Sequence, residues 1–192
     1  MRHPRLTTGS IKLIISVLGL IGGLYLVVDV SSPALTLLGS SPNELSQKLV
    51  ESKPKVGEDR LYIPKINVDV SIVTGDSMAV LEQGAWHRQP RNGDPENGGN
   101  FVLSAHRFSL GLTPQRTVIK SPFFNIDKLQ PGDEIYVDYN GNRYTYKVAR
   151  RYNVERTATE IEARTDETKM TLYSCDLRGE IAGREVIEVL PL

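Results

Sequence analysis

The sequence predicts a mainly β domain, an antiparallel barrel or sandwich with short helices, set behind a single apolar helix at the N-terminus. Short segments alternate apolar and polar residues with the period of a half-buried strand, as Ile66, Val68, Val70 and Ile72 do against Asn67, Asp69 and Ser71. Turns marked by Gly and Pro divide these segments, and beyond residue 60 few stretches carry a helical period. Length agrees: 192 residues allow one domain of ordinary size plus an appendage. The 23 basic and 23 acidic residues cancel, so nothing in the charge favours nucleic acid as a partner.

Residues 1–12 carry Arg2, Arg5 and Lys12, and the run Leu13 to Val28 that follows has no charge. Taking Ile11 to Val30, with Lys12 snorkelling and Asp29 at the far boundary, gives about the 20 residues a spanning helix needs. The segment 13–30 is therefore read as an uncleaved signal anchor. A cleaved signal peptide ending near SSPALT is the competing reading, but its apolar core is usually only about 7 to 15 residues long. Basic residues before the span put the N-terminus in the cytoplasm and the rest outside. Residues 31–60 turn to Ser, Pro, Lys and Glu and read as a stalk. Within it Ser41-Pro42-Asn43-Glu44 resembles a capping box that starts a short helix through Val50, with Leu45 and Leu49 one turn apart; a solvated linker is the alternative.

The domain proper is expected over 61–192. Its first strand lies in INVDVSIV, with Pro64 keeping the start at an edge. Residues 74–100 read as turns and exposed loop around a helical piece near Met78 to Gln83, and they hold Trp86 and His87. In GGNFVLSAHRFS, Phe101, Leu103 and Ala105 share one face while Val102, Ser104 and His106 share the other, so His106 points away from the core. A loop through RFSLGLTPQRTVIKSP follows, then Phe123, Phe124 and Leu129, read as core. Next comes a hairpin from Glu134 to Val154 turned by Asn140-Gly141, a type I′ signal. Glu155, Glu160 and Glu162 are candidate calcium ligands, but a charge run is more often a solvated face, so no metal is assigned.

Lys169 to Leu192 holds the only cysteine, which excludes an intramolecular disulfide. With period 2, Met170 and Leu172 face the core and Thr171, Tyr173 and Cys175 face outward, an odd place for a small apolar residue. After the turn DLRGEIAG, Arg184 opens a second strand, and the hairpin brings a fixed cation beside the thiol. The thiolate is the nucleophile, so Cys175 needs a proton acceptor or a positive neighbour. His106 can supply either; His87 is the rival base and Arg178 the rival cation. Asp176 points to the other face and makes no triad.

The motifs TLYSC at Thr171 to Cys175, GRE around Arg184 and GGNFVLSAHR around His106, with LYIPKINVDVSIV and FFNIDKLQPGDEIYV upstream, resemble the sortases, cysteine transpeptidases of bacterial cell surfaces. Ser174 stands where the family mostly has Thr. The resemblance implies a closed antiparallel β-barrel of about eight strands with the groove on one side, and catalysis by Cys175, His106 and Arg184 without a cofactor. It implies cleavage of an LPxTG-like sorting signal between Thr and Gly through a thioacyl enzyme. The expected partners are surface proteins carrying a C-terminal sorting signal and an amine acceptor on a cell-wall precursor or pilin lysine, met by an enzyme anchored in the bacterial membrane. Thr171 and Ser174 are candidates for orienting backbone or substrate near the thiol. Two other readings stand beside this one: a cysteine hydrolase using the same residues, and a non-enzymatic exported barrel, an adhesin or pilus module with an inert cysteine.

Overall fold

The computed structural model describes residues 8–39 and 42–192. The basic residues Arg2 and Arg5 and the cap residue Ser41 lie outside them.

Around the ring, strands β1 (Arg60–Ile63), β2 (Val68–Val73), β3 (Ala85–Arg88), β5 (Gly98–Ser104), β8 (Lys169–Asp176), β9 (Gly179–Pro191), β7 (Asn142–Val154) and β6 (Glu134–Tyr139) pair in turn, and β6 pairs back with β1. This closes an eight-stranded barrel; the two-residue β4 (Gly93–Asp94) pairs only with the start of β5. Two of the pairings depart from the expected antiparallel pattern. Strands β2 and β3 run parallel, joined across a 3₁₀ turn at Met78–Glu82, and so do β5 and β8, which are far apart in sequence. Period 2 fixes which face a strand buries but carries nothing about the direction of its neighbour.

The inside of the ring is filled by the expected faces: Phe101, Leu103 and Ala105 from β5 and the residue after it, Met170 and Leu172 from β8, Ile187 and Val189 from β9, and Ile135, Val137, Tyr146 and Val148 from the β6–β7 hairpin. Phe123 and Leu129 join them, whereas Phe124 lies against Phe108. The turn between β6 and β7 is Asn140-Gly141, with φ of 49° and 79°, the positive angles a two-residue type I′ turn requires.

Helix α1 (Thr8–Gly39) is by length and composition able to cross a membrane, and it runs on through Ser31 to Gly39, into the segment read as stalk. Pro33 lies inside it and cannot donate to the carbonyl of Asp29, so that carbonyl accepts from Ser32 Oγ at 2.7 Å instead. The domain holds this end of the helix. Asn125 Nδ2 donates to the Pro33 carbonyl at 3.0 Å, the Pro114 carbonyl lies 3.0 Å from Ser32 Oγ and shares that hydroxyl's one proton with the Asp29 carbonyl, and Thr117 Oγ1 donates to the buried Asp29 carboxylate at 2.6 Å. Helix α2 (Pro42–Glu51) is the short helix expected there, and its Leu45 and Leu49 dock onto Tyr62 of β1, in place of the solvated linker that was the alternative. Burying such a pair is worth roughly 1.5 to 3 kcal/mol per side chain.

Candidate active site

Parallel pairing of β5 and β8 brings the ends of two distant segments to one rim. Ser104 pairs with Tyr173, and the Ala105 amide donates to the Tyr173 carbonyl at 3.4 Å; carried on, this register sets His106 beside Cys175. Both line one groove, together with Arg107, Phe108, Asp176, Leu177 and Gly179. Cys175 is half-buried and not disulfide-bonded, and it sits on the outward face with Tyr173, as its alternation with Leu172 predicts.

Arg184 is the register partner of Cys175 across the β8–β9 hairpin. The second strand begins earlier than expected, at Gly179, and the register jumps between Cys175 and Asp176, so that residues 180–183 bulge out before Arg184 rejoins the ladder. Gly183 makes that kink possible: its φ is 115°, and a Cβ there would lie 2.5 Å from the Val154 carbonyl oxygen. The Arg184 guanidinium lies 5.0 Å over the Tyr173 ring and donates from Nη1 to the Ala158 carbonyl at 3.3 Å, so it flanks the groove and does not line it.

Tyr173 is fixed from behind. Its hydroxyl donates to Glu162, whose carboxylate is also gripped by Arg88 Nε at 3.0 Å and Nη2 at 3.3 Å. Burial pushes the Tyr173 phenol up to about 12, reinforced by Glu162. Burial alone would raise Glu162, but the bonds from Tyr173 and Arg88 outweigh it and hold the carboxyl below its usual range. With both oxygens so engaged, Glu162 is unsuited to the calcium role considered for it. No cluster of three His, Cys, Asp or Glu fit for a metal occurs among the described residues.

Thr171 and Ser174 are both buried and neither lines the groove. Thr171 Oγ1 donates to Asn100 Oδ1 at 2.7 Å, and Asn100 in turn donates to the carbonyls of Ile161 and Ala163, both at 2.9 Å. This ties β5, β8 and the loop that leads into β8 together behind the site. Ser174 alternates onto the inner face, away from Cys175, because neighbours on a strand point to opposite sides. The part of substrate contact expected of these two hydroxyls is not the one their positions support.

His87, the rival base, is in strand β3 and not in a loop; four residues containing Trp, His and Arg show no apolar alternation by which to find it. Its ring packs edge-on against Phe101, with centroids 4.7 Å apart, and its Nε2 meets the Gly93 carbonyl at 3.0 Å. Burial lowers its pKa, and the Gly93 carbonyl offsets this only in part. It is a core residue on the inner face of the barrel. Arg178, the rival cation, pairs with Asp176 at 3.0 Å in the turn and holds that carboxyl down at about 2.

Two residues next to His106, one in space and one in the chain, carry no sequence signal of their own. Glu82, at the end of the 3₁₀ turn, places Oε1 3.1 Å from His106 Nε2 and Oε2 2.8 Å from the Lys120 ammonium, whose hydrogen bond keeps the carboxyl below its usual range. Arg107, next to His106, is buried and paired with Asp127 at 2.7 Å, and burial lowers its pKa. Its neighbour in sequence marked the place, but an arginine in a loop is by default read as surface.

Known proteins place this geometry. A family model described as a sortase domain matches residues 61–189. Sortase SrtE1 of Streptomyces coelicolor is 34% identical over 103 residues, 50% of this chain and 27% of that protein. Sortase D of Bacillus subtilis is 29% identical over 111 residues, 57% of this chain and 50% of that protein. The chain thus spans half or less of the length of these two relatives. Among solved structures, a Clostridium perfringens sortase D5 transpeptidase superposes with a TM-score of 0.59 at 26% identity, covering 80% of this chain and 90% of that one. Sortase A of Listeria monocytogenes, with a TM-score of 0.58 at 22% identity over 72% of this chain and 88% of that one, shares the fold. With the family model spanning the whole barrel, from β1 into β9, this chain belongs to the sortase family.

Proposed function

We propose that the protein is a membrane-anchored cysteine transpeptidase that cleaves an LPxTG-like sorting signal between Thr and Gly and passes the acyl group to an amine. The observation that carries this reading is the shared groove of Cys175 and His106 at the rim where β5 and β8 end. The Cys175 thiolate attacks the Thr carbonyl carbon, the C–N bond to Gly breaks, and His106 gives its proton to the departing amine. The thioester is then attacked by the incoming amine, which loses a proton to His106 as the thiolate leaves. Arg184, across the hairpin from Cys175, is the cation for the oxyanion or the substrate backbone. The partners in this reading are surface proteins with a C-terminal sorting signal and an amine on a cell-wall precursor or pilin lysine.

Helix α1 is the anchor in this reading, with the N-terminus in the cytoplasm and the barrel outside. A substrate with its own apolar tail shares the membrane plane, which raises its effective concentration.

Incubation with a panel of LPxTG-type peptides and an added amine tests the proposal. Amide product is expected from the wild type, and none from Cys175→Ala, with unfolding midpoint nearly unchanged. His106→Ala should lose at least about a hundredfold. Acid in place of amide would make the protein a hydrolase, and turnover surviving in Cys175→Ala, or failure of a thiol reagent to modify Cys175 in the folded protein, would overturn the mechanism.

A further inference from the structure

The loop that follows His106 does not stand clear of helix α1. Tyr25, inside the apolar run, donates its hydroxyl to the Leu112 carbonyl at 2.8 Å. A second tie lies one turn along the helix. The Gly111 amide donates to Thr117 Oγ1 at 2.8 Å, and that hydroxyl donates to Asp29 at 2.6 Å, with Thr117 fully buried. The loop is thus fixed at a definite height on the helix.

That height can be compared with a bilayer. Crossing a hydrocarbon layer about 30 Å thick at about 1.5 Å per residue takes about 20 residues. Counted even from Thr8, the outer edge falls beyond Tyr25, and counted from Ile11 it falls near Val30. Side chains on a helix lean toward its N-terminus, which carries the Tyr25 hydroxyl deeper still. Leu112 is therefore level with the apolar layer, and its side chain is 91% exposed; Leu110 beside it is 49% exposed. From Arg107 to Ile126 the chain holds Arg107, Arg116 and Lys120 and no acidic residue.

We propose that Leu110 and Leu112 insert into the outer face of the bilayer that α1 crosses, so that the loop is a second membrane contact of the domain. This rests on the reading of α1 as an anchor. Both leucines take apolar burial from the acyl chains, and the exposed Arg116 meets anionic headgroups. The contact also sets the active groove. Phe108 lines it with Cys175, and Lys120 joins the Leu110 carbonyl at 3.4 Å to Glu82, the partner of His106. The groove consequently opens just above the lipid, where a segment next to a membrane-embedded tail must pass.

The test uses the full chain in phosphatidylethanolamine–phosphatidylglycerol vesicles containing a bromine-labelled acyl lipid. Cys175→Ala removes the only thiol, and single cysteines at Leu18, Leu112 or Val56 carry an environment-sensitive fluorophore. Val56 is as apolar and, at 84%, nearly as exposed as Leu112, but it packs on Gly141, in the turn whose Asn140 reaches Glu96 ahead of β5, at the end of the barrel away from His106. Quenching by the bromolipid is expected at Leu18 and Leu112, with Leu112 quenched at least about threefold more than Val56. Quenching at Leu18 with Leu112 no stronger than Val56 would overturn the loop contact while leaving the anchor intact. Absence of quenching at Leu18 would remove the anchor and this proposal with it. Blue-shifted emission at Leu112 without bromine quenching would put the loop against a second protein copy and also overturn the proposal.

Discussion

Glu82 holds the imidazole of His106, Oε1 to Nε2 at 3.1 Å, while its other oxygen takes the Lys120 ammonium at 2.8 Å. A carboxylate that meets the imidazole and the Lys120 ammonium but not the thiol acts on the reaction by orienting that ring.

Glu82→Gln should therefore slow peptide turnover about threefold to tenfold, mainly in kcat, as fits an exposed charge-assisted pair. Because Lys120 holds the Glu82 pKa below its ordinary value, the carboxylate stays charged above that value, and the defect should persist with similar size from about pH 6 to 8. Steady-state kinetics across that range check this, and an unchanged kcat would show Glu82 to be a bystander.

Tyr173 serves as the platform under Arg184, so ring and hydroxyl should separate on substitution. Tyr173→Phe keeps the ring and loses the bond to Glu162, at about 1 to 2 kcal/mol of stability, with turnover within about threefold of wild type. Tyr173→Leu loses the ring as well and should cost turnover at least about tenfold. Equal losses in both variants, read by urea unfolding and peptide turnover, would contradict the platform role.

At Gly183 the backbone φ of 115° and the nearby Val154 carbonyl leave no place for a side chain. Gly183→Ala should destabilise by about 1 to 3 kcal/mol and displace Arg184, lowering turnover more than a substitution on the exposed face of β9 does. Chemical denaturation together with kinetics measures both parts.

Burial makes His87 a weaker base in the folded protein than its usual value of 6.5. An unfolded chain then takes up a proton at His87 that the folded one refuses, so stability falls as the pH drops below about 6.5 toward the folded value. His87→Gln should flatten this part of the melting-temperature profile between about pH 5 and 6.5. Superimposable slopes for the two proteins would refute the assignment.

Much of the barrel was legible because the residues that fill its inside recur at every second position along its strands. The alternation in Phe101 to His106 and in Met170 to Cys175 places the core residues inside and the thiol outside, and Asn140-Gly141 marks its hairpin. What was not legible is non-local. The parallel pairing of β5 with β8 joins residues some seventy positions apart, Glu82 reaches His106 from another element, and β3 is too short to show a period. The run of the helix through 31–39 was not legible for a different reason: Ser31, Ser32 and Pro33 are poor helix formers, but Ser32 Oγ takes the Asp29 carbonyl that Pro33 leaves without a donor, and Asn125 adds a bond to the Pro33 carbonyl.

Because β5 and β8 run side by side in one direction, thiol and imidazole meet only after everything between them has been threaded into place. Such distant pairings are slow to form. A chain folded only in part would accordingly carry a dormant sulfur, and reactivity would arise only at the final step of assembly.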